Sequence, residues 1–129
     1  MTTLKVGIAD YDEMKARTMR IAKGEEKPAP GDPKVWFTSM ESFAKVLSAG
    51  NRELLRVIDQ QAPGSLEELA EITGRAKSNL SRTLKRMASY GLVRMEKGHG
   101  RKVMPRVLYD RVALELPLIE RRAAKGDAL

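Results

Sequence analysis

The chain has 129 residues, 42% of them hydrophobic and 32% charged, and its 24 Lys and Arg against 17 Asp and Glu give a formal net charge of +7. This length and composition suit one domain with a modest core and a short extension. Cysteine is absent, which excludes disulfides, thiolate chemistry and Cys-ligated zinc and fits a reducing compartment, so we expect a cytoplasmic protein. The sequence has no run of about 18 apolar residues and no basic segment followed by an apolar one, so we expect neither a membrane span nor a secretory signal.

The first predicted element is a short strand at residues 3–9, where apolar residues alternate with polar or small ones. Asp10 and Glu13 have the spacing of a capping box, and a short helix follows until Gly24. The next stretch, "GEEKPAPGDP", contains three prolines and two glycines, which is typical of a linker. We therefore predict an N-terminal strand-helix arm with its linker at residues 1–34.

Four helical patterns follow the linker. Thr38 is the predicted cap of the first helix and Asn51 the predicted cap of the second. Ser65 opens the third, short helix, which Gly74 ends. The fourth helix follows this glycine turn and covers residues 77–90.

After the fourth helix the apolar period changes from that of a helix to that of a strand. "LVRMEK" alternates, "GHG" at 98–100 makes a turn, and "RKVMPRVLY" returns, which predicts a hairpin with a basic tip. Pro105 cannot donate to a ladder, so the returning strand should be an edge or bulged there. A last alternating strand covers 109–116, and a polar tail at 119–129 is expected to fray.

The positive charge is concentrated in one quarter of the chain. Between Arg75 and Arg106 there are ten Lys or Arg and a single acid, Glu96, whereas the remainder carries a net charge of −2. Such a concentration is the electrostatic footprint expected of a nucleic-acid contact.

The order of helix, short helix, glycine turn, longer helix and hairpin is that of a winged helix-turn-helix. The predicted fold class is therefore α+β, mostly α: a winged helix-turn-helix domain at 35–118, with the N-terminal β-α extension and a C-terminal strand. In this geometry the 77–90 helix enters the major groove of DNA, and the hairpin tip, or wing, at 97–102 contacts the adjacent groove.

The sequence of the fourth helix separates an apolar side from a cationic side. Leu84 and Met87 lie within about 40° of Leu80, while Arg82 and Lys85 lie on the opposite side. Arginine and asparagine can contact guanine and adenine bidentately, and serines near a helix start suit phosphate. The candidate DNA-binding residues are Lys77, Ser78, Asn79, Ser81, Arg82, Lys85 and Arg86 on the helix, and Lys97, His99, Arg101 and Lys102 on the wing. A solvated face with cations placed by chance is the alternative for the helix alone.

The segment "LEELAEITGRAKSNLSRTLKRMASYGLVRMEKG" is similar to the MarR-like and ArsR-like winged-helix regulators, and "S-N-L-S-R-x-L-x-x-M…G-L-V" is its most typical part. The chain more closely resembles a group of prokaryotic predicted transcriptional regulators. These regulators begin with a strand and a helix, which correspond here to 4–22, and continue with a "W-F" element, here Trp36-Phe37. Their winged helix corresponds to 39–104, and their final "D-R-V-x-L-E-L-P-L" strand corresponds to 110–118. The resemblance implies a DNA-binding regulator that forms homodimers, and for some members an antitoxin with a toxin partner. Two departures are Ala76, where a Ser or Thr cap is common, and the lack of a recognisable effector pocket or metal site.

Functions other than DNA binding are also considered from the residues that each would need. An antitoxin-type module would bind a partner protein through the arm at 1–34. RNA binding stays open, although the basic region contains no aromatic residue other than Tyr90 that could stack on bases. An enzyme, a metal site or a cofactor is not expected, because His99 is the only histidine and no nucleophile, base and acid can be assembled. The two terminal strands each need a partner, either within the chain or across the two-fold axis of the expected homodimer.

Overall fold

The fold was determined from a computed structural model, which describes residues 2–119. It belongs to the α+β class, as predicted, and the helices and the hairpin follow one another in the predicted order. The predicted tail lies outside the described residues from position 120 onward. In chain order the elements are β1 Thr3–Ile8, α1 Tyr11–Ala22, β2 Val35–Phe37, α2 Met40–Val46, α3 Ala49–Gln61, α4 Leu66–Thr73, α5 Lys77–Ser89, β3 Val93–Lys97, β4 Val103–Val107 and β5 Arg111–Glu115.

Two sheets organise the strands. The first is parallel and three-stranded in the order β2-β1-β5, and the second is the antiparallel β3-β4 hairpin. In the first sheet β1 is central, with Val6 beside both Val35 of β2 and Leu114 of β5. The terminal strands therefore pair within the chain, which was one of the two alternatives. This pairing also places the strand of the 1–34 arm between two strands of the 35–118 segment.

The starts of α1 to α4 are set by side-chain caps, and two of these caps differ from the predicted ones. Asp10 and Glu13 form the complete capping box that was predicted for α1. The cap of α2 is Ser39, one residue after the predicted Thr38, and the cap of α3 is Ser48, three residues before the predicted Asn51. Both predictions were wrong because neighbouring Ser, Thr and Asn side chains are chemically equivalent as caps, and tertiary packing decides among them.

Asn51 instead joins two helices. Its side-chain Nδ2 donates to the carbonyl oxygen of Val46 over 3.1 Å and so satisfies the C-terminal end of α2. Ser65 caps α4 as predicted, since its Oγ accepts the N–H of Glu68 at 3.0 Å. Gly74 ends α4 at a φ of 76°, the left-handed conformation that glycine adopts without steric cost.

The core lies between the parallel sheet and the helices. The sheet contributes Leu4, Val6 and Phe37, all at most 2% exposed. The buried side chains that pack against them come from α2 to β3: Val46, Leu54, Ile58, Leu66, Leu69, Leu80, Leu84, Met87, Leu92 and Val93. Each fully buried Leu or Met contributes roughly 1.5–3 kcal/mol, so this shared core holds β1 and the helices in one unit.

The opposite face of the sheet is covered by Trp36. Its ring packs so closely on Gly7 that a Cβ added there would lie 2.5 Å from Cζ3 of the indole. The guanidinium of Arg17 lies 5.7 Å from the Trp36 ring, within cation–π range. Phe37 is fully buried and Trp36 half-buried, so the two rings pack on opposite faces of the sheet.

No helix in the described range, residues 2–119, has the length and apolar character needed to cross a membrane.

Candidate nucleic-acid interface

The turn between α4 and α5 is fixed by an arginine that belongs to the basic segment. Arg75 donates from Nη1 to Oδ1 of Asn51 over 3.1 Å and from Nη2 to the carbonyl oxygen of Gly50 over 3.0 Å. Both acceptors belong to the first turn of α3, so Arg75 ties the start of α5 to that helix. One of the ten cations counted in the sequence therefore has a structural role.

The two sides of α5 have the predicted burial. Leu80, Leu84 and Met87 are 0% exposed and form part of the core. Lys77, Ser78, Arg82, Lys85 and Arg86 are exposed, and Asn79 and Ser81 are half-buried. Ala76 is the N-cap and makes no side-chain hydrogen bond, as its lack of a hydroxyl implies. The apolar side thus fixes the rotation of the helix and turns its cationic side to solvent.

Lys77 is the predicted site residue that the structure places in an ion pair. Its Nζ donates to Oε2 of Glu67, in the first turn of α4. This hydrogen bond is the main reason that the pKa of Glu67 lies below its ordinary value, and the charges of Lys77 and Lys102 lower it further. The carboxylate of Glu67 thus lies in the field of one cation from α5 and one from the hairpin tip.

The hairpin tip is a tight turn between β3 and β4. The N–H of Gly98 donates to the carbonyl oxygen of Lys102 over 2.8 Å, and the N–H of Lys102 donates to the carbonyl oxygen of His99 over 3.1 Å. Gly100 has a φ of 63°, which glycine adopts without strain. The turn leaves all four predicted wing residues exposed, namely Lys97, His99, Arg101 and Lys102.

The base of the hairpin is anchored beside α4. Arg106 donates from Nη1 to the carbonyl oxygen of Pro63 over 3.0 Å, just before the cap of α4. Arg94 pairs with Glu96 on β3. Gly98 packs near the turn before α4, where an added Cβ would lie 3.4 Å from the carbonyl oxygen of Gly64. The contacts of Arg106 and Gly98 hold the hairpin on the same side of the molecule as the N-terminal end of α4, whereas the Arg94–Glu96 pair lies within β3.

Six cations of the basic segment remain after these assignments. Within residues 2–119 their side chains form no ion pair and no hydrogen bond, and all six are exposed. They are Arg82, Lys85 and Arg86 on α5, and Lys97, Arg101 and Lys102 on the hairpin tip. We call this set the free cations. Each of them belongs to the predicted site, and Lys102 is the one whose charge lowers the pKa of Glu67.

Sequence reasoning missed two features near this site. The ring of Tyr90 stacks on Phe37 with centroids 4.1 Å apart and an interplanar angle of 20°, so it packs inward and not toward a nucleobase. An apolar groove of about 840 Å³ also lies between α2, α3 and the segment 107–112, although the sequence had suggested no effector pocket. Neither feature has a local signal, because both arise from residues far apart in the chain.

Among residues 2–119 no three His, Asp or Glu side chains lie close enough together to hold a metal ion.

The family of the chain follows from comparison with known proteins. Residues 46–114 match the model of the HVO_A0114 family. The match runs from the end of α2 to β5 and covers more than half of the chain. The chain therefore belongs to this family. No curated protein and no solved structure matches it.

Proposed function

We propose that the segment from α3 to β4 is a winged helix-turn-helix and that the protein is a sequence-specific DNA-binding transcriptional regulator. In this proposal α5 is the recognition helix in the major groove, and the hairpin tip is the wing on the adjacent groove. The observation that supports it most strongly is the set of free cations. A solvated helix normally offers its cations acids at neighbouring positions. These six lie on α5 and the hairpin tip, and none of them forms an ion pair with a carboxylate of residues 2–119.

The proposed mechanism divides the contacts into two kinds. Lysines of α5 and of the hairpin tip neutralise phosphates, which supplies affinity without sequence information. Arg82 and Asn79 reach base edges and supply specificity, because their side chains can bond bidentately to guanine and adenine. Arg101, at the end of a tight glycine turn, suits a narrow minor groove. Occupancy of an operator would then regulate transcription without any catalytic step.

The proposal is tested by selecting duplexes from a random DNA library with the full chain at a fixed salt concentration. We expect enrichment of a defined motif, bound at least about a thousandfold more tightly than unrelated duplex. Binding to the selected motif should weaken steeply with salt. Recovery of no motif, with all duplexes bound equally, would contradict sequence-specific recognition.

Two alternative functions, RNA binding and an antitoxin-type role, are tested by separate experiments. Selection from an RNA library tests RNA binding, which would have to proceed without Tyr90, since that ring stacks on Phe37. An antitoxin-type role would use the N-terminal arm, but deletion of residues 1–34 would remove the central strand β1 and part of the core. Substitution of the exposed Tyr11 and Met19 on α1, which are 72% and 49% exposed, is the suitable test for a toxin partner.

A further inference from the structure

The outer side of β5 is a free sheet edge. In the order β2-β1-β5, β5 has one neighbour, and residues 2–119 place no other strand beside it. The backbone N–H of Ala9 donates to the carbonyl oxygen of Phe37, and the carbonyl oxygen of Lys5 accepts from the N–H of Lys34. The backbone N–H and C=O groups of the odd-numbered residues of β1 therefore point at β2. The even-numbered ones therefore point at β5. In the observed register, the N–H and C=O groups of Val112 and Leu114 are left facing outward.

The sequence of β5 suits antiparallel pairing with a second copy of itself. Strand β5 reads Arg-Val-Ala-Leu-Glu. In an antiparallel pair centred on Ala113, Arg111 faces Glu115 of a second copy and Val112 faces Leu114 of a second copy. The backbone groups also fit this pairing. Val112 and Leu114 point their N–H and C=O groups outward, so Val112 of one copy and Leu114 of the other can exchange two hydrogen bonds. Opposite charges and apolar residues at facing positions are the pairs that stabilise sheets.

Exposed apolar residues continue the same edge. Leu116 and Leu118 are 43% and 92% exposed and directly follow β5. Beyond the ends of both strands, the same register would bring Leu118 of one copy to the level of Leu108 of the other. Leu108 lines the apolar groove described above and is itself 37% exposed. The residue types on the two sides therefore match beyond the strand itself.

From these relationships we infer that two copies of this chain join through antiparallel pairing of their β5 strands about Ala113, with the 116–118 segment of each copy lying toward the apolar groove of the other. The result is one six-stranded sheet with a two-fold axis at its centre. The core helices α2 to α5 of both copies pack on the same side of that sheet. This inference does not rest on the proposed function, because self-association is measured without DNA.

A charge exchange tests the register. Arg111→Glu and Glu115→Arg each place like charges opposite one another in a homodimer, whereas an equimolar mixture of the two variants restores two opposite-charge pairs in the heterodimer. By analytical ultracentrifugation at micromolar concentration, we expect wild type and the mixture at twice 14.4 kDa and each variant alone at 14.4 kDa. Lys15→Glu, the same change of charge on exposed α1, should remain dimeric. A monomeric wild type, or single variants as dimeric as wild type, would overturn the inference.

A cross-link tests the two-fold axis directly. The chain contains no cysteine, so Ala113→Cys introduces a single thiol. In the proposed register, position 113 is a non-hydrogen-bonded antiparallel pair with Cα atoms about 4.5 Å apart, within disulfide range. Oxidation should give a covalent dimer on a non-reducing gel, and Lys15→Cys should give little. Absence of the cross-link, or equal cross-linking at position 15, would contradict this interface, and thermal melts of the reduced variants show that each is folded.

Discussion

The ring of Tyr90, which follows the last turn of α5, lies on the ring of Phe37 in β2 with the two centroids 4.1 Å apart. Phe37 also meets Phe43 of α2 edge-to-face, with centroids 5.2 Å apart. This three-ring cluster joins the parallel sheet to the end of α5, the helix that carries three of the free cations. The orientation of α5 therefore depends on the N-terminal half of the chain as well as on its own apolar side.

The stack predicts the effects of changing Tyr90. Tyr90→Ala should lower the free energy of unfolding by about 1–3 kcal/mol, because it removes a half-buried ring and the stacking contact. Tyr90→Phe keeps the ring and should leave both stability and nucleic-acid affinity near wild type. Urea denaturation and RNA or DNA titrations of the two variants provide the measurements. A large loss of RNA affinity in Tyr90→Phe with unchanged stability would argue that the tyrosine contacts nucleic acid.

Two cations of α5 should differ in how they affect DNA binding. Arg82→Ala should weaken binding to the selected motif by about 1–3 kcal/mol and relax the preference at one base pair. Lys85→Ala should weaken binding to all duplexes alike and reduce the slope of log K against log salt by about 0.9. Fluorescence anisotropy with the motif and its single-base variants measures both effects. Arg56→Ala, an exposed arginine paired with Glu53 on α3, serves as the control and should bind as wild type.

Glu67 should lower the affinity of the protein for DNA. Its carboxylate holds Lys77 and lies in the field of Lys102, so it competes with phosphate for both cations. Glu67→Gln should therefore tighten binding to any duplex and steepen the salt dependence, by about one additional phosphate contact. Glu71→Gln, on the same helix, is the matched control. Weaker binding of Glu67→Gln would show that the ion pair positions Lys77 for its contact.

The same pair makes a pH-dependent prediction about stability. The folded pKa of Glu67 is lowered, chiefly by the hydrogen bond from Lys77, from an ordinary value of 4.5. A lowered folded pKa means that the pair stabilises the fold above pH 4.5 and that this contribution is lost as the pH falls through the folded pKa. The pair is exposed, so the effect is small. Glu67→Gln should melt slightly below wild type at neutral pH, and the two melting temperatures should converge on acidification.

The close packing of Trp36 on Gly7 predicts a steric effect. Gly7→Ala introduces a Cβ within 2.5 Å of the indole and should destabilise the protein by about 1–3 kcal/mol. Because the clash is with Trp36, the cost should shrink when Trp36→Leu is combined with Gly7→Ala. Denaturant unfolding of the two single variants and the double variant gives the coupling energy. Strict additivity would mean that the strain lies elsewhere.

The local parts of the fold were predictable from sequence, and its long-range pairings were not. Ser65, Gly74 and the period of Leu80, Leu84 and Met87 act within a few residues, so their signals are visible in sequence. The parallel pairing of β1 with β5 joins residues about 110 positions apart, and an alternating strand does not reveal its partner. The caps at Ser39 and Ser48 were missed for a related reason, since the choice among nearby polar residues depends on packing between helices.

The candidate site shows the same division. Composition identified the basic segment, and helical period identified the exposed side of α5. Composition did not reveal that Arg75 and Arg106 bond to backbone and side-chain acceptors in other elements, or that Lys77 is held by Glu67. Only the folded arrangement shows that, within the described part of the chain, six of the ten cations form no ion pair and no hydrogen bond.

The most direct test of the central claim compares wild type with the triple variant Arg82→Ala, Lys85→Ala and Arg86→Ala. Both are titrated with the selected duplex and with a scrambled duplex of equal length, at the same salt concentration. We predict that wild type strongly prefers the selected duplex, and that the variant keeps its melting temperature but loses the preference and most of its affinity. Equal binding of both duplexes by wild type, or undiminished binding by the folded variant, would contradict the assignment of α5 as the recognition helix.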